Sequence, residues 1–357
     1  MFYAVQKVES HPCFDMQELV YSVFYFSIQG IQFGKDVFPN RFTGTNRAWV
    51  NLKGIRNSFE ALYELLLTKS IDRRKGIYSQ LVDNNMIELL CENPNINPEN
   101  YLELDSDIGM RIKEVIESCY KKLDLSHFRV TDCKLKPTHR YYREYIAINN
   151  SVCPFCSINT YKNPLNPRRE DFDHYLPKAL YPLAAANMYN LVPMCNECNQ
   201  DFKSVQDPIY DGSHRVTAFY PFSTVAGVTV EVESSVELVS PFERKWLVKL
   251  VPNDVEETEK VFNWNRVFSI ESRLVNELTQ RHDEWVRQVL DPKAGEVIET
   301  VNEFRAYMME QAEIEKMRAD RRNEPNAILK ASFYGYMYES ADDHFIKSYM
   351  QEHNALI

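Results

Sequence analysis

Cys153-Pro154-Phe155-Cys156, Asp173-His174-Tyr175-Leu176-Pro177-Lys178, Asn190-Leu191 and Cys195-Asn196-Glu197-Cys198-Asn199, with Lys203 four residues further on, stand in the middle of this 357-residue chain. Two cysteines three positions apart can hold one metal ion through a tight turn. Two such pairs supply four thiolates, the donor set of a closed, tetrahedral structural Zn2+ site. The pairs are separated by 38 residues, 157 to 194, so the insert must carry structure of its own. Pro154 and Phe155 in the first turn, and Pro193 before the second, suit stiff turns. A redox CxxC uses one pair, not two. A double disulfide would need an oxidising compartment, which nothing in the sequence supports.

The insert carries the residues suited to chemistry. Asp173 and His174 are neighbours, and neighbouring side chains on a strand or turn point in different directions and can do different jobs. A carboxylate suits a hard divalent ion such as Mg2+ or Mn2+. A neutral imidazole can take a proton from water near neutral pH. Asn199 offers a second oxygen ligand, and its place directly after Cys198 lets the zinc site position it. A helix starting near Asn196 would put Asn199 and Lys203 on one face, with Lys203 reaching a phosphate oxygen. Together these make the parts of a one-metal phosphodiesterase.

The pattern Asp-His-x-x-Pro-Lys, then Asn-Leu, then Cys-x-x-Cys-Asn-x-x-x-Lys resembles the HNH endonuclease family, whose nuclease core has the ββα-metal fold. The resemblance implies that His174 is the general base, that Asp173 holds the catalytic Mg2+ or Mn2+, and that Asn190 braces the loop between strand and helix. Asn199 stands where the last His of the family name would be, as in the HNH domain of RNA-guided CRISPR nucleases, and would be the second metal ligand. Cys153, Cys156, Cys195 and Cys198 resemble the zinc-stapled subgroup. The resemblance spans roughly 100 residues. A more distant resemblance is to the HNH nuclease subunit of Septu-type anti-phage defence systems, which implies a partner ATPase. The chain itself contains no GxxxxGK[ST] phosphate-binding loop.

Composition limits how nucleic acid can be held. The formal net charge is −10, whereas non-specific binding to nucleic acid comes from Lys and Arg neutralising phosphates. Any contact surface must therefore be local. Between Lys121 and Arg143 seven basic residues face two acidic ones, with Tyr141 and Tyr142 interleaved. Arg140, Arg143, Arg168, Arg169, Lys178 and Lys203 are the candidate nucleic-acid contacts. His214 reads as a surface histidine, and Cys13, Cys91, Cys119 and Cys133 as reduced core thiols. The N-terminus does not read as a signal peptide, and apolar runs such as Leu19 to Ile28 are too short to span a bilayer. The expected compartment is the cytoplasm.

Read in order, the chain predicts an α+β fold: a mainly helical protein with an inserted zinc-stapled ββα-metal core and a small antiparallel sheet. Residues 1–125 are expected to be helical, although the aromatic and β-branched run from Tyr21 to Phe33 suits strand or buried helix equally. Asn57 and Glu60 resemble a capping pair ahead of a stripe of Phe59, Leu62, Leu65 and Leu66. Ile108, Ile112, Val115, Ile116, Cys119 and Leu123 form a second helical stripe. The nuclease core is expected over 126–222. Over 223–357, Val228, Val230 and Val232, then Val236 and Leu238, then Trp246, Val248 and Leu250 alternate as two or three strands. Helices follow, with Phe262, Trp264, Phe268, Leu274, Leu278, Trp285 and Val289 as core, a long charged helix over Glu299 to Arg322, and a final helix bearing Phe333, Tyr334, Tyr336 and Tyr338.

The function expected from these residues is metal-dependent hydrolysis of DNA by an endonuclease that works with a partner ATPase. The alternatives are a catalytically inert zinc module that binds nucleic acid or protein, and a ribonuclease.

Overall fold

Interrupted apolar stripes build most of the molecule as helix. The computed structural model describes residues 1–9, 11–38, 53–98, 106–124, 135–222, 227–234, 245–290 and 298–356. It is mostly helical with two small antiparallel sheets, an α+β arrangement. Two compact units emerge: Val5–Asn149 with Lys162–Ser223, and Met1–Ala4 with Asn150–Tyr161 and Thr224–Ile357. The units are interleaved along the chain, whereas the sequence suggested three successive segments.

In the first unit the helices are α1 (Asp15–Gln29), α2 (Lys53–Leu67), α3 (Ile71–Asn84), α4 (Ile87–Glu92), α5 (Ser106–Lys121) and α6 (Pro137–Asn149). The ambiguous aromatic run is helical in α1 as far as Gln29, where Gly30 at φ +68° closes the helix, a left-handed position that glycine adopts without strain. α1 packs on α2 and α3, and α2 packs on α5. The α5 stripe is buried throughout, from Ile108 to Leu123. Asn57 and Glu60 are not a cap: α2 is already helical from Lys53, so both lie inside it. After α6 come β1 (Phe172–His174), a single 3₁₀ turn at Pro182–Ala184, β2 (Leu191–Pro193) and a π-helical segment, Glu197–Lys203.

In the second unit β3 (Val228–Ser234) pairs antiparallel with β4 (Trp246–Pro252), with Val230 opposite Leu250 and Val232 opposite Val248. Period-two alternation puts the valines inside and Thr229 and Glu231 outside. α7 (Thr258–Phe268) and α8 (Ile270–Leu290) cover β4, while α9 (Val301–Arg321) packs against α10 (Ala327–Glu339), and α10 lies along β3. A further helix, α11 (Asp343–Leu356), follows the one expected to be last. Trp246, Trp285, Phe333 and Phe345 form the aromatic core. Phe262 is not core but 74% exposed. It sits on the outer face of α7, where Val261, Trp264 and Phe268 take the inward positions. Met317 of the charged helix is likewise exposed. Thr300 and Glu303 start α9 with a reciprocal capping box.

Arg129, Asp132, Cys133 and Lys134, and the strand expected at Val236 and Leu238, lie outside the described residues. Among the described residues no helix is long and apolar enough to cross a membrane.

Candidate functional site

Cys153, Cys156, Cys195 and Cys198 are buried, and their sulfurs all lie within 4.8 Å of one another. A tetrahedral zinc with Zn–S bonds of about 2.3 Å needs sulfurs about 3.8 Å apart, so the cluster suits one Zn2+. The first turn is shaped by its backbone. Ser157 N–H donates to the Cys153 carbonyl (2.9 Å), Cys153 N–H donates to Asn159 (2.8 Å), and Ser157 adopts φ +58°. In the second turn Asn199 N–H donates to the Cys195 carbonyl at 2.9 Å. None of the described cysteines is in a disulfide, and Cys13, Cys91 and Cys119 are buried as expected of core thiols.

β1 and β2 form a short hairpin in which Phe172 faces Pro193, Asp173 faces Val192 and His174 faces Leu191. β2 runs directly into the second cysteine turn. The loop that joins the strands is held by Asn190, which is fully buried. Its Oδ1 accepts from Leu176 N–H at 2.8 Å, and its Nδ2 donates to the carbonyls of Leu176 (3.1 Å) and Ala184 (3.3 Å). One side chain thus satisfies three buried backbone groups that a loop of this kind leaves open.

The hairpin splits Asp173 and His174 to opposite sides. The His174 ring is half-buried, with its centroid 4.6 Å from that of Tyr120 on α5. Its Nε2 lies 3.1 Å from the Ala185 carbonyl. A carbonyl only accepts, so Nε2 carries the proton and Nδ1 keeps its lone pair. Burial, and then the nearby Lys178 charge, lower the His174 pKa to about 4, so the ring is neutral at neutral pH. Tyr120, whose own pKa burial pushes up, carries Lys178 Nζ 5.7 Å from its ring centroid. Neither Tyr120 nor the Ala185 carbonyl is signalled in the sequence. Tyr120 reaches the site only because α5 packs against the Pro182–Ala184 turn.

Asp173 faces inward, 5% exposed, onto Lys203, which is fully buried. Lys203 Nζ donates to Asp173 Oδ1 at 3.2 Å and to the His174 carbonyl at 2.9 Å. Asp173 Oδ2 lies 3.0 Å from the same ammonium but outside hydrogen-bonding angle. Burial raises the Asp173 pKa, and Lys203 opposes that rise without cancelling it. This corrects the expectation that Lys203 faces a phosphate: its charge is consumed inside. The reason is local. The segment that carries it closes with an i to i+5 bond, Ser204 N–H to the Asn199 carbonyl at 2.8 Å, so it is π-helical and not the α-helix assumed from spacing. Such wide turns are rare and concentrate at functional sites. Asn199 is half-exposed on this segment.

The expected basic contacts divide. Lys178, Arg168 and Arg143 are exposed. Arg140 is engaged by Glu144 at 2.7 Å. Arg169 lies 4.2 Å from the Phe172 ring and donates to the Glu170 carbonyl at 2.6 Å. His214 is a surface residue beside Asp211, as expected.

The donor sets separate the two metals. Four buried thiolates fit zinc. Around Asp173, a preformed Mg2+ or Mn2+ site does not fit: both carboxylate oxygens lie within 3.2 Å of an ammonium. Among the described residues no second group of three or more His, Cys, Asp or Glu lies within ligand range.

No family model matches the chain, and no solved structure matches it. One relative is Protein ea31 from Escherichia phage lambda, 38% identical over 71 residues, which are 20% of this chain and 21% of that protein. The matched part is thus about a fifth of either chain, and the similarity carries no activity with it.

Proposed function

We propose that this chain is an endonuclease that hydrolyses phosphodiester bonds in DNA, with His174 as the general base. The observation that carries the reading is the fixed imidazole. Nε2–H is tied to the Ala185 carbonyl, and Nδ1 retains a lone pair on a ring that stays neutral at neutral pH. A base held this way can take a proton from an attacking water without first losing one itself. The chain order of a short hairpin, β1 and β2, followed by the cysteine turn supports the reading, although a π-helical segment stands where the resemblance to HNH enzymes implies an α-helix.

Lys178 is the cation best placed to meet a phosphate near His174, being exposed and seated over Tyr120. Arg168 and Arg143 extend the list of exposed cations. With a net charge of −10, the body of the protein repels DNA, which favours an enzyme delivered to its substrate by a partner. A partner ATPase in anti-phage defence is the form of this that the Septu resemblance suggests.

The test is nicking of supercoiled plasmid by purified protein with Mg2+, with Mn2+ and with neither, beside His174→Ala. A general base contributes about 10²–10⁴-fold, so His174→Ala should cut the rate by at least about 100-fold while circular dichroism and zinc content stay unchanged. Nicking that survives in the variant would refute the assignment. An RNA substrate in parallel tests the ribonuclease alternative. Absence of nicking with and without the partner would leave the inert zinc module.

A further inference from the structure

The side chain that stands against Asp173 is a lysine ammonium, and its setting is more closed than a surface ion pair. Lys203 is fully buried and Asp173 nearly so. The ammonium also donates to the His174 carbonyl, so it grips two successive residues of β1. Successive residues of a strand point to opposite faces. Holding Asp173 inward therefore holds the His174 ring on the other side, against Tyr120, whose ring also carries Lys178.

We infer that Lys203 is the resident counter-cation of Asp173, a positioning residue that aims His174 and keeps divalent ions off Asp173 in the DNA-free protein. The inference rests on the nuclease reading only for the importance of His174 and Asp173. Mg2+ demands six oxygens at close range and gives up its waters only reluctantly. Here one carboxylate oxygen is hydrogen-bonded to the ammonium and the other lies 3.0 Å from it. A second cation would meet like charge at contact distance, and Lys203 could leave only by abandoning its buried bonds. Zinc at the four cysteines is unaffected by this competition, since thiolates and carboxylates select different metals.

The experiment is titration of the zinc-loaded, full-length protein with Mn2+ in the absence of DNA, followed by calorimetry and by the electron paramagnetic resonance signal of free Mn2+. Wild type should show no site tighter than about 1 mM. Lys203→Met should gain one site at least about tenfold tighter, lost again in Lys203→Met with Asp173→Asn, whereas Lys203→Arg should exclude Mn2+ like wild type. A micromolar Mn2+ site in wild type that Asp173→Asn removes would overturn the inference, and so would a folded Lys203→Met that gains no site. If Lys203→Met does not fold, the comparison of wild type with Asp173→Asn decides alone. The titration contains no DNA, so failed nicking leaves it standing, and a wild-type Mn2+ site would leave the nicking result standing.

Discussion

Lys203→Met puts the buried pair to an energetic test. In the native protein one ammonium, with no exposed surface, serves Asp173 Oδ1 at 3.2 Å, Asp173 Oδ2 at 3.0 Å and the His174 carbonyl at 2.9 Å. Methionine fills similar volume but leaves a buried carboxylate without a cation. Breaking a buried pair from one side costs about 3–5 kcal/mol, which lowers the midpoint of thermal unfolding by about 6–20 °C for a body of this size. Asp173→Asn added to Lys203→Met removes the stranded charge and should recover about 1–3 kcal/mol of the loss. The pH dependence has a definite sign. Burial already raises the Asp173 pKa in the folded state, and without Lys203 it rises further. A carboxyl with a raised folded pKa costs stability above that pKa, and the cost fades as pH falls toward the unfolded value of about 3.9. The deficit of Lys203→Met should therefore be largest at neutral pH and shrink on acidification, while the double variant shows little such trend. Equilibrium urea unfolding followed by circular dichroism, with zinc present throughout, measures both. A Lys203→Met variant within about 1 kcal/mol of wild type at neutral pH would refute the reasoning, because it would mean that the pair is not sealed from water.

Other perturbations follow from the same geometry. Elemental analysis should find one zinc per chain; Cys198→Ser with a chelator should release it and lose most of a binding energy of about 10–16 kcal/mol, seen as loss of the cooperative unfolding transition. Asn190→Ala strands three buried backbone partners in the hairpin loop and should cost about 2–4 kcal/mol in urea unfolding. Gly335→Ala should instead stabilise by about 0.5–1 kcal/mol, because Gly335 lies inside α10 and nothing stands within 4 Å of an added Cβ. A fall in the unfolding midpoint of Gly335→Ala would show that this face of α10 is not open.

Much of the fold is legible in the sequence because its signals are short-range. The α5 stripe and the alternation of β3 and β4 each depend on neighbours a few positions away, and each is buried as its period requires. The cysteine spacing is of the same kind: a CxxC turn presents two thiolates whatever surrounds it. Phe262 shows where this reasoning fails. Its hydrophobicity argues for core, yet helical phase gives the inward face of α7 to Val261, Trp264 and Phe268. Asn57 and Glu60 fail similarly, since a capping pair is recognisable only once the start of the helix is known, and α2 is already helical from Lys53.

At the candidate site the division is sharper. Asn190 is expected as a brace only through the resemblance to HNH enzymes, whereas residue type and spacing by themselves mark the four thiolates for one zinc and send the neighbouring Asp173 and His174 in different directions. Those are properties of local backbone geometry and of donor chemistry. Only the tertiary structure decides that Lys203 turns inward to Asp173, that Tyr120 packs on His174 from a helix more than fifty residues upstream, and that Lys178 is the cation left exposed beside them. A lysine has the same charge in any sequence. Whether that charge meets a phosphate or a buried carboxylate depends on the pitch of the segment that bears it and on what packs against it, and both are set by contacts distant in the chain.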